Sequence, residues 1–300
     1  MKKIKYHIIL FLLRAVSLLP LWLLYRLSDF MFIVVYYLIG YRKKTVRQNL
    51  ANALPQRSET ERKEIERKFY RHLCDLIVET IKLFTMSDTA LKQRVETVNP
   101  EWIEELSQDG KSIILFMGHY GNWEWVPTIT FHYKRPALSG QIYRPLHDKV
   151  MDKIFLLLRG RFGNLSIPQQ QAYRTLIKLH SEGRQNLIAF IADQRPNTDV
   201  LPHWTWFLHQ ETAFSTGGEK IGRKTHSHFV YLEVEKPCRG HYKLTFKPIV
   251  PQDFQAEYPY TEEFMKMLQA TIERTPELWL WSHKRWRFSR ESQQIHRKNK

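Results

Sequence analysis

The chain has 300 residues, 43% of them hydrophobic, 25% charged and 13% aromatic; this is a globular composition with ample core material, and it excludes a disordered chain. A formal charge of +16 and a pI near 9.7 point to anionic partners: nucleic acid, anionic lipid or an acidic protein. The two cysteines, Cys74 and Cys238, stand far apart and no Cys/His ligand spacing is present, which argues against a disulfide framework and a structural zinc site; no metal and no cofactor is expected.

The first segment is dense in apolar residues, in blocks at about 7–25 and 30–41, with Arg14 and Pro20 interrupting the first. No small-residue cleavage site follows, so the segment is expected to be retained. The second block is shorter than the roughly 20 residues a helical span needs. Lys2, Lys3 and Lys5 precede the apolar material and Arg42, Lys43, Lys44 and Arg47 follow it. Positive charge on both sides favours both ends on the cytoplasmic face. The expectation is a helical membrane anchor over residues 1–45, as a shallow hairpin or in-plane segment. A single tilted span and a pair of buried core helices are the alternatives.

Next comes ETERKEIERKFYRHLCDLIVETIKLF, whose Ile65, Phe69, Leu73, Leu76, Ile77 and Ile81 fall on one side of a helix. NPEWIEELSQDG carries a cap at Asn99, Pro100 in the first turn and a stop at Gly110. KSIILFMG reads as a buried strand, and NWEWVPTITFHY opens a helix that Pro127 confines to its first turns. ALSGQIYR, NLSIP and QNLIAFIADQ read as further strands, separated by the helices LHDKVMDKIFLLLRGRFG and QAYRTLIKLHSEG. GGEKIGRKTHS begins a helix, two strands flank the KPCRG turn, and a last helix leads into a Trp-rich basic tail. Alternating strands and helices predict an α/β fold with a mostly parallel central sheet flanked by helices, as one unit over residues 46–300.

The chemistry concentrates in GHYGNWEW, residues 118–125, directly after a strand. On one helix His119 and Glu124 would sit about 140° apart, so they meet only if the histidine lies on the loop and the glutamate on the following first turn. Gly118 and Gly121 supply the loop and Asn122 caps the helix. Glu124 would then orient His119 as a general base toward a hydroxyl. No GxSxG elbow or reactive cysteine accompanies the pair, so the nucleophile has to come from the substrate. A core histidine among aromatics is the competing reading.

GHYGNWEW resembles the HxxxxD/E motif of the lipid A biosynthesis late acyltransferases, within the wider lysophospholipid and glycerophosphate acyltransferase superfamily. The apolar N-terminus ending in RKKTVRQNL, the IYRP after a strand, the ADQ strand end and the terminal PELWLWSHKRW resemble that family in the same order. The resemblance implies a glycerophosphate acyltransferase-like fold. It also implies transfer of a fatty acyl chain from an acyl-carrier-protein or coenzyme A thioester to a hydroxyl of an anionic lipid, first a lipid A precursor. His119 and Glu124 match the motif, and Asn122, which lies within it, is a candidate substrate-binding residue. Arg144, Arg159 and Arg161 are candidate binders of phosphate or of the donor's pantetheine arm, each otherwise an ordinary surface charge. Asp193 resembles the family's strand-end aspartate, with a strand cap or an Arg195 ion pair as the plain alternative. The family's DQDYG-like stretch is DQRPN here, which leaves Gln194 and Arg195 open; Arg223 resembles a helix arginine of the family. Trp279, Trp281 and Trp286, interleaved with His283, Lys284 and Arg285, suit a lipid interface. The implied location is the bacterial inner membrane, with the catalytic part on the cytoplasmic face. A lysophospholipid, amino-acid lipid or glycolipid mannoside is the alternative acceptor. From another class, a membrane-tethered nucleic-acid-binding protein leaves the motif unexplained and shows no RRM, KH or zinc pattern.

Overall fold

Pro20 has no N–H to donate, and the first helix stops just before it. In the computed structural model, which describes residues 2–196, 202–287 and 289–290, α1 spans Lys2–Leu18 and α2 spans Leu21–Phe32. From Phe32 the chain continues without a break as a π-helix over Ile33–Ile39, ended by Gly40 at φ 65°. The apolar blocks are therefore divided at Pro20 and not near residue 26. The second, Leu21–Ile39, has 19 residues and is long and apolar enough to cross a membrane by length and composition. Ser28 donates to Asp75 at 2.8 Å, and Lys82 donates to the carbonyls of Ser17 and Leu19, both at 2.8 Å, so the inner edge of this region is tied to the rest of the chain. Trp22, Phe30 and Leu38 point outward, exposed.

α3 (Lys43–Ala53) leads to α4 (Glu59–Lys82), whose start is set by a capping box between Ser58 and Glu61. Ile65, Phe69 and Leu76 are buried as the periodicity predicts, whereas Ile77 is exposed. Next come α5 (Asp88–Arg94), β1 (Val95–Thr97) and α6 (Pro100–Leu106), which ends through a 3-10 turn at Gly110. Asn99 does not cap α6: its amide instead bridges to the backbone of Phe246 at 2.9 and 3.0 Å. β2 (Ile113–Met117) is buried throughout. The segment after it is a turn and then a 3-10 helix, Val126–Phe131, rather than the α-helix expected.

β3 (Leu138–Tyr143), α7 (Lys149–Gly160), β4 (Leu165–Pro168), α8 (Ala172–Ser181) and β5 (Asn186–Ile191) follow the predicted alternation. A hairpin, β6 (His203–Phe207) and β7 (Gln210–Phe214), then precedes α9 (Gly217–Lys224), β8 (His228–Cys238), β9 (His241–Pro248) and α10 (Pro259–Arg274). The seven-stranded sheet has the order β1-β9-β8-β2-β5-β3-β4. Only β8 and β9 pair antiparallel; the other neighbours are parallel, as the βα alternation requires. β2 and β5 thus lie side by side at the centre, and their C-terminal ends open onto the same edge. Cys74 is buried and Cys238 exposed, both as free thiols.

Candidate active site

β2 and β5 pair in parallel up to Met117 opposite Ile191, and the Ala192 amide donates to the Met117 carbonyl at 3.1 Å. Two residues beyond each of those positions stand His119 and Asp193. In a parallel pair, equal offsets keep residues abreast, so the register itself delivers the two side chains to one place. Asp193 is 2% exposed. Its Oδ1 lies 2.7 Å from His119 Nδ1, and its Oδ2 accepts from the His119 amide at 2.9 Å and from the Trp279 indole at 2.8 Å. Burial works to raise the Asp193 carboxyl; the His119 ring and amide and the Trp279 indole outweigh it and hold its pKa below the ordinary value. Gly118 lets α10 approach closely: a Cβ there would lie 2.8 Å from the Leu268 side chain, which would have to shift.

An ionised Asp193 only accepts, so His119 Nδ1 carries the proton and Nε2 carries the lone pair. The Gln194 side-chain nitrogen, 3.1 Å from Nε2, donates to it. The ring meets Trp123 edge-on at 5.2 Å, and the His119 side chain keeps 18% of its surface open. With Nδ1 on Asp193 and Nε2 facing the Gln194 amide, the ring is held in the tautomer a general base needs.

Glu124 is not the ring's partner, which corrects the expected contact. No α-helix begins after Gly121, so the turn aims Glu124 at α7, where it takes a two-pronged ion pair from Arg159 at 3.0 and 2.6 Å. Asn122 is also turned inward: its Nδ2 donates to Glu79 at 2.7 Å and its Oδ1 accepts the Trp125 amide at 3.2 Å. It shapes the loop and offers no free group to a substrate. Gly121, at φ 60°, stands 2.7 Å from Val234 at its would-be Cβ. On its other side the loop is closed by the C-terminal segment: Leu280 donates to the His119 carbonyl at 3.1 Å and Gly121 to Leu278 at 3.0 Å.

The chain matches the family model described as bacterial lipid A biosynthesis acyltransferase over residues 1–288. The chain belongs to that family. It is also 24% identical, over 249 residues, to the lipid A biosynthesis lauroyltransferase of Escherichia coli (strain K12), a match that covers 82% of this chain and 79% of the relative.

Basic residues of this acyltransferase divide into those near the pair and those held elsewhere. Arg159 sits at the site through Glu124. Arg144 is exposed after β3; it and Arg287 lie close enough to Arg195 to lower its pKa further, after burial. Arg161 is engaged elsewhere: it donates to the carbonyls of Leu83 and Met86 and pairs with Asp88 at 2.7 Å, bracing the turn between α4 and α5. Arg223, exposed on α9, donates to the Glu257 carbonyl at 3.2 Å and is not brought to the His119 cluster. The tail is not a lipid-facing surface at Trp279 and Trp281, which are buried. Arg285, expected with the tail at a lipid interface, is buried instead. It is 3% exposed, donates to the Ala213 carbonyl at 2.6 Å, and burial lowers its pKa to about 9. Among the described residues no group of three or more His, Cys, Asp or Glu is placed to hold a metal ion.

Two histidines around the site are held neutral. Burial pushes His72 to about 3 and His283 to about 4, from an ordinary 6.5. Both would take up protons in the unfolded chain first, so their contribution is complete above about pH 6.5 and is lost as pH falls toward their folded values. Urea midpoints compared at about pH 7.5 and 5.5 should show a loss of roughly 1.4 kcal/mol from fully buried His72, with a smaller share from half-buried His283. Equal midpoints at the two pH values would contradict neutral burial of both rings.

Proposed function

We propose that this enzyme moves a fatty acyl chain from an acyl thioester, with acyl-carrier protein as donor, to a hydroxyl of a lipid A precursor, and that His119 is the general base. The observation that carries the reading is the lone pair on His119 Nε2, fixed by the Nδ1 contact to Asp193 at 2.7 Å. The acceptor hydroxyl displaces the Gln194 amide and gives its proton to Nε2 while its oxygen attacks the thioester carbonyl carbon. The tetrahedral intermediate collapses with breakage of the C–S bond, and the departing sulfur takes the proton back from Nε2. Products are the ester and the free thiol. Asp193 stabilises the imidazolium between these steps. A thioester is already activated, so deprotonation and proximity supply much of the acceleration without an acyl-enzyme. Glu124 acts by holding Arg159 beside the loop, where Arg159 and exposed Arg144 suit phosphate groups of the acceptor or of the donor's arm.

The apolar segment within residues 1–45 is read as the anchor to the bacterial inner membrane, with residues 46–300 as the catalytic part on the cytoplasmic face. A charge of +16 suits both an anionic lipid acceptor and an acidic carrier protein.

Purified full-length protein, incubated with acyl-carrier-protein thioester and a lipid A precursor, should yield an acceptor heavier by one acyl group in mass spectrometry. His119→Ala should reduce the rate to background with circular dichroism unchanged. A folded His119→Ala enzyme at wild-type rate would overturn the mechanism; faster acylation of a lysophospholipid or a mannoside would reassign the acceptor.

A further inference from the structure

A cavity of about 740 Å³ lies between the apolar N-terminal helix, α4, the β8–β9 hairpin and the 3-10 turn Pro276–Leu278. None of His119, Asp193, Glu124 or Arg159 lines it. Its floor is a closed ionic set. Arg239 donates to Asp75 at 3.0 Å and to Asp29 at 2.7 Å, and Lys236 stands 3.5 Å from Asp75. The rim is different. Arg71 has no carboxylate partner among the described residues; its guanidinium lies over the Phe32 ring at 5.1 Å. Lys68, one helical turn earlier on the same face, pairs with exposed Glu64 at 2.8 Å and feels Glu277. Beside these two cations, Ile33 and Tyr37 of the apolar helix are 50% and 57% exposed.

A cationic rim next to an outward-facing apolar helix matches one kind of molecule in shape and charge: a phospholipid whose chains lie along the helix and whose phosphate enters the cavity. We propose that this cavity is a lipid site separate from the reacting centre and that it takes the headgroup phosphate of an anionic glycerophospholipid, namely phosphatidylglycerol. Arg71 and Lys68 bind the phosphate. Of the three carboxylates on the lining, Asp29 and Asp75 are engaged by Arg239 and Lys236 and Glu277 lies toward Lys68; against the four cations Lys68, Arg71, Lys236 and Arg239 they leave the lining net positive, which favours an anionic over a zwitterionic headgroup. The cavity also backs onto the catalytic loop: Lys236 donates to His72 Nδ1 at 3.2 Å, and His72 Nε2 donates to the Gly121 carbonyl at 3.1 Å. The inference rests on the membrane location proposed above and not on the acyl-transfer chemistry.

Two measurements keep those claims apart. Sedimentation of the full chain with phosphatidylcholine vesicles, with and without phosphatidylglycerol, reads membrane location; no pelleting with either lipid defeats the location. Native mass spectrometry of the detergent-purified chain reads the site. We expect one phosphatidylglycerol retained in preference to phosphatidylcholine, and about tenfold weaker retention in Lys68→Ala/Arg71→Ala. A charge-matched control on the far surface, Lys178→Ala/Arg184→Ala, should change retention less than about twofold. Equal losses in the two double variants, or none in either, would overturn the site. Displacement of phosphatidylglycerol by a lipid A precursor at equal concentration would overturn the occupant and make the cavity an acceptor subsite.

Discussion

Asp193→Asn is expected to lower kcat by roughly 10³–10⁴-fold while leaving KM for both substrates near its wild-type value. The argument follows from the hydrogen-bond directions. Oδ2 of Asp193 receives two donors, the His119 amide and the Trp279 indole, and neither can reverse its role. An asparagine must therefore present its carbonyl oxygen to those two and its NH₂ to His119 Nδ1. That ring nitrogen then becomes the acceptor, the proton moves to Nε2, and the lone pair that should receive the acceptor's proton is lost. Because Asp193 is buried and has no open face toward a ligand, binding is not affected directly. Glu124→Gln should behave differently, because it keeps one of the two Arg159 contacts and leaves the His119 tautomer alone; its expected mark is a raised KM. Kinetics of both variants under saturating donor separate the two roles. A full kcat in Asp193→Asn alongside an inactive Glu124→Gln would return the glutamate to the place first expected for it.

The largest stability effect is expected at Glu79, which is 0% exposed on α4. Its carboxylate collects the Tyr25 hydroxyl at 2.9 Å and, at 2.7 Å each, the Tyr242 hydroxyl and the Asn122 amide; its backbone carbonyl takes the Trp125 indole at 3.1 Å. One buried side chain thus joins the apolar helix, the sheet and the HxxxxE loop. Burial raises its pKa against the pull of Lys236 and its hydroxyl donors. Glu79→Ala would strand three buried donors and open a cavity, at a cost of about 3–5 kcal/mol, a sizeable part of the stability of a folded domain. Glu79→Gln should cost only about 1–2 kcal/mol, because its oxygen in the place of Oε2 still serves Asn122 and Tyr242, and the Tyr25 hydroxyl can turn to accept from its NH₂. Denaturant midpoints of the two variants test this; equal loss in both would mean that packing, and not acceptor supply, is what Glu79 provides.

The alternation of strands and helices was legible because continuous apolar runs such as Ile113–Met117 have no other comfortable fate. The β6–β7 hairpin was not. Its two-residue turn is Leu208-His209, at φ 50° and 59°, where local chemistry calls for asparagine or glycine. Tertiary contact overrides that preference: Leu208 is buried and its amide donates to Gln269 at 2.8 Å. In the site, His119 stood out from its glycines and its strand; Asp193 was named through the resemblance, but not as the partner of that ring. Spacing along the chain favoured Glu124, five residues away, whereas the true neighbour lies 74 positions off. Nothing local in ADQ marks that distance. The clue was that MGH and ADQ each place a polar residue just past the end of an apolar strand, and it becomes decisive only once the two strands are known to be adjacent.

That adjacency has a consequence for how the sequence can change. The spacing of His119 and Asp193 is written in the ladder between β2 and β5 and not in the loops that follow. Insertions beyond Gln194, even long ones, leave the pair's separation as it is. A single residue inserted within Ile113–Met117 shifts the register by one, turns His119 to the opposite face and leaves Asp193 facing an empty place. Length variation among sequences of this kind should therefore gather after the strand ends and stop short of the two strands themselves.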